Sequence, residues 1–329
     1  MRLHPRYDDG VSFLAILFAL LFEQVRPLAP KNVAYATARA WARLARKNLD
    51  AGREPHGWLT WSAVVLLPGA MVCALHWSLL AVGGWVGVAL VFVLHVAVLY
   101  LTLGFRQFSY HFTTIRDALG AGDEATARAE LAAWRQTDTS QLSTEQLLRQ
   151  VIEHSVLSAH RHVFGVLGWY AVLCALGLGP AGALLYRMSV FANQYYHRIH
   201  GYFPQTTGLP VSASLLHAVK KAWYVMDYVP ARATAMGFAI VGNFEEAVES
   251  WRNFSDSMLH TGAGADLNEN DGIILAATSG AVNVRLGGES ETAQEPKVAH
   301  LRSIVGLVWR SVVLWVLLLA LLSLARLLG

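Results

Sequence analysis

Long apolar runs bounded by polar or glycine-rich breaks dominate the hydropathy pattern of this chain. Leu80–Phe105, with the Gly83-Gly84 pair near its start, follows Trp58–Trp77 almost at once, and Ile304–Leu328 lies near the far end. Each reaches the roughly twenty residues that a helix needs to cross a hydrocarbon core. Pro68 predicts a kink in the first of these, of a kind tolerated inside a bundle. Val163–Leu185 is a further run, and Gly177-Leu178-Gly179-Pro180 predicts that its helix ends or bends there. Val11–Phe22 offers only about twelve apolar residues, which predicts a short span completed by its flanks or a half-inserted helix. Ala231–Val241 is too short to cross and predicts a re-entrant or buried helix. The pattern as a whole predicts an all-α, polytopic integral membrane protein with about four to five transmembrane helices and a helical cytoplasmic segment.

The polar segments divide the chain further. Between residues 32 and 50, Arg39, Arg43, Arg46 and Lys47 fall on one helical face and Trp41, Leu44 and Ala45 on another. An amphipathic helix of this kind lies flat on an anionic bilayer, or else it presents a solvated basic face while packing on protein. Residues 24–57 and 106–162 are rich in Arg and Lys and the short turn near 78–83 has none, which predicts that the two basic segments face the cytoplasm. The side occupied by residues 186–302 stays open. Within 106–162, Asp123-Glu124 predicts a helix start running through Trp134, and Ser143 with Gln146 predicts a capping box for another. Residues 253–300 read as polar and loop-rich. Four divisions follow: membrane helices over 1–105, a helical segment over 106–162, a membrane helix with further blocks over 163–302, and a last transmembrane helix over 303–329.

Composition agrees. Of 329 residues, 54% are hydrophobic and 15% charged, against about 25% charged in soluble domains, so lipid is the expected solvent for much of the surface. A net charge of +3 with no long basic tract argues against nucleic acid as a partner. Cys73 and Cys174 both sit in apolar runs and read as small core residues. The first apolar run ends in Glu23-Gln24-Val25-Arg26 with no A-x-A site, which predicts an uncleaved segment and not a signal peptide.

Candidate chemistry is sparse. His154, His160 and His162 cluster in sequence, as do His197 and His200, but no H-E-x-x-H, E-x-x-H or cysteine set accompanies them, so no metal site is expected. Ser279-Gly280 through Gly287-Gly288 has the composition of a phosphate cradle without a Walker pattern, and a plain glycine turn is the competing reading. Arg187, Asp227 and Arg232 flank apolar stretches, where charges pair or line a cavity. They bind an anionic group or lock helices together.

Several blocks in order resemble the CobD/CbiB family of cobalamin-biosynthesis membrane proteins. Arg106, Asp123, Arg128 and Thr137-Asp138-Thr139-Ser140-Gln141-Leu142 resemble its cytoplasmic helices and G-R-D-T-S-x-L signature. Glu153 falls at the first glutamate of its E-x-x-x-E-N motif, and Gly179-Pro180 with Tyr186-Arg187 resembles its glycine turn and Y-[KR] pair. Tyr228-Val229-Pro230-Ala231-Arg232 resembles the P-A-R block, and Asn270 with Ser279-Gly280-Ala281 through Leu286-Gly287-Gly288 resembles the closing one. Family carboxylates are missing. Leu157, Ser158 and Arg161 stand where the family has Glu-Asn and Asp, Val190-Phe191-Ala192-Asn193 replaces N-T-L-D, and Trp223 and Tyr224 replace paired aspartates ahead of P-A-R. The opening Phe22-Glu23-Gln24-Val25-Arg26-Pro27-Leu28 is similar to AmpE, a related membrane protein implicated in β-lactamase regulation.

The resemblance implies a bacterial inner-membrane protein with a role in cobalamin biosynthesis. The family joins an amino-alcohol phosphate to adenosylcobyric acid, using ATP and Mg²⁺ as cofactors. The AmpE likeness implies instead a non-catalytic modulator that senses a cell-wall-derived ligand. Either way the expected partners are the bilayer and a corrinoid or cell-wall ligand, and oligomerisation stays open. The expected ligand-facing set is Arg128, Asp138, Thr139, Arg187, Asp227, Arg232 and Arg285, with the cations on phosphate or carboxylate and the two aspartates on Mg²⁺ or a polar contact.

Overall fold

The computed structural model describes residues 6–26, 32–202, 210–260, 268–286 and 293–328, and the second half of the Ser279–Gly288 block, Gly287-Gly288, lies outside them. Among the described residues the chain is helical throughout: α1 (Arg6–Val25), α2 (Val33–Leu49), α3 (Glu54–Val82), α4 (Gly84–Thr102), α5 (Phe105–Gly120), α6 (Glu124–Arg135), α7 (Thr144–Ala159), a π turn (His160–Phe164), α8 (Gly165–Ala175), α9 (Ala181–Tyr202), α10 (Ala213–Val241), α11 (Phe244–His260), α12 (Glu269–Val282) and α13 (Val298–Leu328). One isolated bridge joins Val284 to Gln294. The protein is an all-α membrane protein. Helices α3 and α4 and residues 298–325 of α13 are long and apolar enough to cross a bilayer, and α1 carries a shorter apolar stretch, Ser12–Val25.

Two sequence expectations are corrected. Ala231–Val241 is not a separate short helix but the end of the 29-residue α10, which runs through Pro230 without a break. Its Ala231, Ala235, Phe238 and Ala239 are buried, as a helix packed in protein requires. Residues 253–300 are not mainly loop either, because α11 extends to His260 and α12 buries a continuous run from Ile273 to Ala281. A helix apolar on every side carries no amphipathic signal, which hides it between polar flanks.

The described residues form two compact units. The first takes residues 1–104, 165–227 and 319–329, and the second 105–164 and 228–318, so the stretch 163–302 contributes to both.

In the first unit, α3 places Trp61, Val64 and Val65 against Met188, Phe191, Ala192 and Tyr196 of α9 and Leu215, Val219 and Ala222 of α10. Helix α2 joins this core through Ala42 and Ala45. Its position is fixed by Trp41 Nε1 donating to the Ala63 carbonyl at 3.2 Å and Tyr196 Oη donating to the Ala42 carbonyl at 2.9 Å. Leu44, expected on the apolar face, is 52% exposed. Small alanines let α2 approach closely, so it packs on protein with its basic face outward and does not need lipid to cover its apolar side. Between α8 and α9 the break at residues 176–180 turns the chain through Gly177 and Gly179, both at positive φ, where an L side chain is strained.

A buried polar network ties α1, α3, α4 and α8 of this unit. Tyr170 Oη donates to the Ser12 carbonyl at 3.2 Å and is 2.8 Å from His95 Nδ1, while His95 Nε2 is 3.3 Å from His76 Nδ1. With the Tyr170 proton committed to Ser12, His95 donates from Nδ1 and accepts from His76 at Nε2. Both histidines are fully buried. Tyr170→Phe leaves the His95 donor and the Ser12 carbonyl without that partner, and is expected to cost about 1–3 kcal/mol of stability in thermal unfolding of the detergent-purified protein. An unchanged unfolding midpoint would show that the network contributes nothing.

In the second unit, Asp123 caps α6 by accepting from the Thr126 amide at 3.0 Å, and Ser143 and Gln146 form a reciprocal capping box on α7. Phe164 meets Phe238 edge-on at 5.6 Å, and Ala235, Ile273 and Ala277 form an apolar cluster with Trp251 and Phe254 packed against it. His154 of α7 lies edge-on to Trp134, 4.4 Å between centroids, and His111 stacks on Trp134 at 5.7 Å. Burial, with Arg135, Arg161 and His111 adding positive charge, pushes the His154 imidazole down from 6.5 to about 3. As pH falls below that ordinary value, the unfolded chain takes up a proton that the folded chain refuses until near the lowered one. Stability therefore falls with acidification across that window. Unfolding followed by tryptophan fluorescence is expected to show a midpoint that drops between about pH 7 and pH 5, with a shallower slope in His154→Gln.

Candidate functional site

Arg128, Asp138 and Thr139 meet at the connection between α6 and α7. Arg128 Nη1 donates to the carbonyls of Leu142 at 2.5 Å and Thr139 at 3.3 Å, and Nη2 pairs with Glu124 at 3.2 Å. Thr139 Oγ1 returns a hydrogen bond to the Arg128 carbonyl at 2.9 Å. Asp138 accepts from the Ser140 amide at 2.9 Å, and that bond holds its carboxyl below the usual range. The guanidinium here closes a loop by satisfying carbonyls that lie beyond any helix, which is a positioning task.

Asp227 belongs to the first unit, fully buried, where Tyr186 Oη donates to it at 2.8 Å and Trp223 lies 5.5 Å from the Tyr186 ring. Gly165 leaves room for that tyrosine, since a Cβ there would lie 2.0 Å from the ring. Arg187, next along α9, is half-buried. Arg285 is half-buried beside the bridge at Val284, its amide donating to the Gln294 carbonyl at 2.8 Å.

Arg232 stands at the centre of the richest arrangement. Its Nη2 donates to Glu269 at 2.6 Å, and its Nη1 to Asn270 Oδ1 and the Tyr228 carbonyl, both at 3.1 Å. The guanidinium also lies 3.4 Å over the Tyr228 ring, a cation–π contact. Two residues along α12, Asp271 receives Arg161 Nη2 at 2.5 Å. Acidic residues suit a first helical turn, and here each is matched by an arginine. Arg161 comes from the π turn, whose extra residue per turn is a feature enriched at functional sites. The same turn brings His160 Nδ1 to 2.9 Å from Thr234 Oγ1. All four charged side chains keep 20–28% of their surface accessible, so a ligand can reach them.

Sequence reasoning missed Arg161, Glu269 and Asp271 as members of this group. Arg161 had a signal, because it replaces a family aspartate, but a charge reversal says nothing about which carboxylate it will meet. Both readings of Ser279-Gly280, phosphate cradle and glycine turn, are corrected, because both residues are helical in α12 and a Cβ on Gly280 would lie 2.2 Å from the Glu246 carbonyl oxygen. That glycine is there for close helix approach.

The histidine clusters do not converge. His162 Nδ1 donates to the Ser158 carbonyl and His197 Nδ1 to the Asn193 carbonyl, each at 2.8 Å. Among the described residues no group of three or more His, Cys, Asp and Glu side chains is placed to hold a metal ion. The Arg232 group does not fit Mg²⁺–ATP either: Mg²⁺ takes one or two free carboxylates along with phosphate oxygens, and Glu269 and Asp271 both already face guanidinium groups.

Residues 12–192 match the family described as CobD/Cbib protein. The chain belongs to the CobD/CbiB family. This CobD/CbiB-family protein is 29% identical over 328 residues to a cobalamin biosynthesis protein CobD from Stutzerimonas stutzeri (strain A1501), covering 93% of the present chain and 96% of the relative. It is also 30% identical over 199 residues to a protein of the same name from Chromobacterium violaceum, covering 60% of this chain and 56% of that one. No solved structure matches it. Neither relative's name concerns β-lactamase regulation, and no contact described above favours the AmpE-like reading.

Proposed function

We propose that this CobD/CbiB-family protein acts in cobalamin biosynthesis at the bacterial inner membrane, holding an anionic corrinoid intermediate at the Arg161–Arg232 group of its second unit. The observation that carries this reading is the hydrogen bond from Arg232 to Asn270, which joins two sequence blocks that separately resemble the family. A motif arginine and a motif asparagine 38 residues apart meet at a partly accessible site of paired charges. Arginine suits a carboxylate-bearing ligand because its planar donors match both oxygens. The replaced family carboxylates and the ion pairing of Glu269 and Asp271 argue that the chain binds this intermediate without forming the ATP-dependent amide bond. In this reading the basic segments 24–57 and 106–162 face the cytoplasm.

The test is binding of adenosylcobyric acid to the detergent-purified protein, with and without ATP–Mg²⁺. The expected result is saturable binding whose affinity nucleotide leaves within about twofold, under half a kcal/mol. Absence of corrinoid binding would overturn the proposal. Tightening by tenfold or more with ATP–Mg²⁺ would overturn its non-catalytic part.

A further inference from the structure

The first unit carries a cationic group built from residues other than those of the Arg232 site. Helix α2 has no Asp or Glu over residues 33–49, and it holds Arg39, Arg43, Arg46 and Lys47. Their direction is fixed by the contacts that bury Ala42 and Ala45, which leave Arg39, Arg43 and Lys47 exposed. Arg39 lies 4.9 Å over the Tyr35 ring. Tyr35 meets Phe191 of α9 edge-on at 5.6 Å, and Phe191 stacks on Tyr195 at 5.2 Å with the rings 17° apart. The Tyr195 hydroxyl in turn lies within electrostatic reach of Arg39, Arg43 and Arg46. One face of α2 and one of α9 therefore form a continuous patch of guanidinium groups and aromatic rings.

Arg187, one helical turn before Phe191, completes it. The titratable groups acting on its guanidinium are the hydroxyls of Tyr186 and Tyr35, with no carboxylate among them. It makes no hydrogen bond or ion pair among the described residues. A partly buried guanidinium without a counter-charge costs stability unless an anion reaches it. The acidic residue at the end of α2, Asp50, is held by Ser212, whose Oγ donates to it at 2.5 Å. The three guanidinium groups of Arg39, Arg43 and Arg187 exceed what a single carboxylate neutralises, and arginine forks match phosphate oxygens bidentately.

We propose that Arg187, Arg39, Arg43 and Arg46, walled by Tyr35 and Tyr195, form a phosphate-binding site between α2 and α9. The phosphate comes from an anionic lipid headgroup or from a free phosphate. Helix α2 leads within a few residues into the membrane helix α3, where basic residues meet anionic headgroups.

Thermal unfolding of the full-length protein distinguishes the sources. One arm compares nanodiscs of phosphatidylglycerol with nanodiscs of phosphatidylcholine. The other, in neutral detergent, compares inorganic pyrophosphate with chloride at equal ionic strength. One arm or both is expected to raise the midpoint by about 4 °C or more, and Arg187→Gln to abolish that rise. A lipid-only rise assigns the site to a headgroup, and a pyrophosphate rise assigns it to a free phosphate. In phosphatidylcholine or chloride alone, Arg187→Gln is expected to unfold no lower than wild type, a result that a merely structural arginine would not give. Should Arg187→Gln fail to fold, the double variant Arg39→Gln/Arg43→Gln, altered at exposed positions, is expected to lose most of the rise. No rise in either arm, or a rise retained in the variants, overturns the proposal. Corrinoid binding at the Arg232 group is measured separately and stands or falls on its own.

Discussion

Gly280→Val is expected to prevent the second unit from folding, at a cost of more than about 3 kcal/mol, seen as loss of the cooperative thermal transition of the purified protein. Residue 280 lies where α12 crosses α11, and a Cβ there would lie 2.2 Å from the Glu246 carbonyl oxygen, 2.4 Å from its carbon and 2.6 Å from the Ala247 Cα. All three are backbone atoms and cannot rotate away. The helices are also tied at this level by the Asn243 amide donating to the Ala281 carbonyl at 3.1 Å, so separating them to admit a methyl group breaks that bond too. Gly306 is the matching control. It lies inside α13 with nothing within 4 Å of a built Cβ, and Gly306→Ala is expected to stabilise by about 0.5–1 kcal/mol through helix propensity alone. If Gly280→Val unfolds at the wild-type temperature, the close crossing of α11 and α12 is wrong.

The features that the sequence made legible share one property: their cause is local. Asp123 and the Ser143–Gln146 pair act within one turn of the helix they start, and both cap where expected. The break at Gly177–Pro180 acts through backbone angles, and α8 and α9 end and begin around it. The apolar runs of α3, α4 and α13 announce themselves by length. The misread elements depend on contacts from far along the chain. Ala231–Val241 read as a short helix by itself, yet α10 runs into it through Pro230, with Ala231, Ala235 and Phe238 buried beyond. The first half of α10, with His217, Lys220 and Lys221, is too polar for a hydropathy reading to join it to the second. Helix α2 was legible as amphipathic, but whether protein or lipid covered its apolar side was decided by Tyr196 and Ala63, which are distant in sequence. The Arg232 group was half legible for the same reason. Asn270 and Arg232 stood in recognisable blocks, whereas Arg161, Glu269 and Asp271 acquire meaning only from the charge that each one faces. Arg128 and Thr139 show the converse, since a motif that looked ligand-facing spends its donors on its own loop.

Arg232→Gln and Glu269→Gln are expected to move corrinoid affinity in opposite directions. The guanidinium of Arg232 is neutralised in the free protein by Glu269 at 2.6 Å, with both side chains 24% exposed. A carboxylate on the ligand must compete with Glu269 for the same donors. Removing the arginine removes the attraction, and a loss of at least tenfold in adenosylcobyric acid affinity is expected, about 1.4 kcal/mol. Glu269→Gln keeps the shape and a hydrogen-bond acceptor while deleting the competing charge. Its expected effect is a gain of about three- to tenfold, the order that a partly exposed ion pair supports. The stability effects separate from the binding effects. Arg232→Gln leaves Glu269 half-buried without its cation and lowers the unfolding midpoint. Glu269→Gln leaves Arg232 its bonds to Asn270 and the Tyr228 carbonyl and its seat over the Tyr228 ring, so its midpoint changes little. A purely helix-locking salt bridge predicts another pattern, in which both variants lose stability and neither alters ligand affinity. Titration of both purified variants with the corrinoid decides between the two. A change of the same sign in both would remove Arg232 from the binding site.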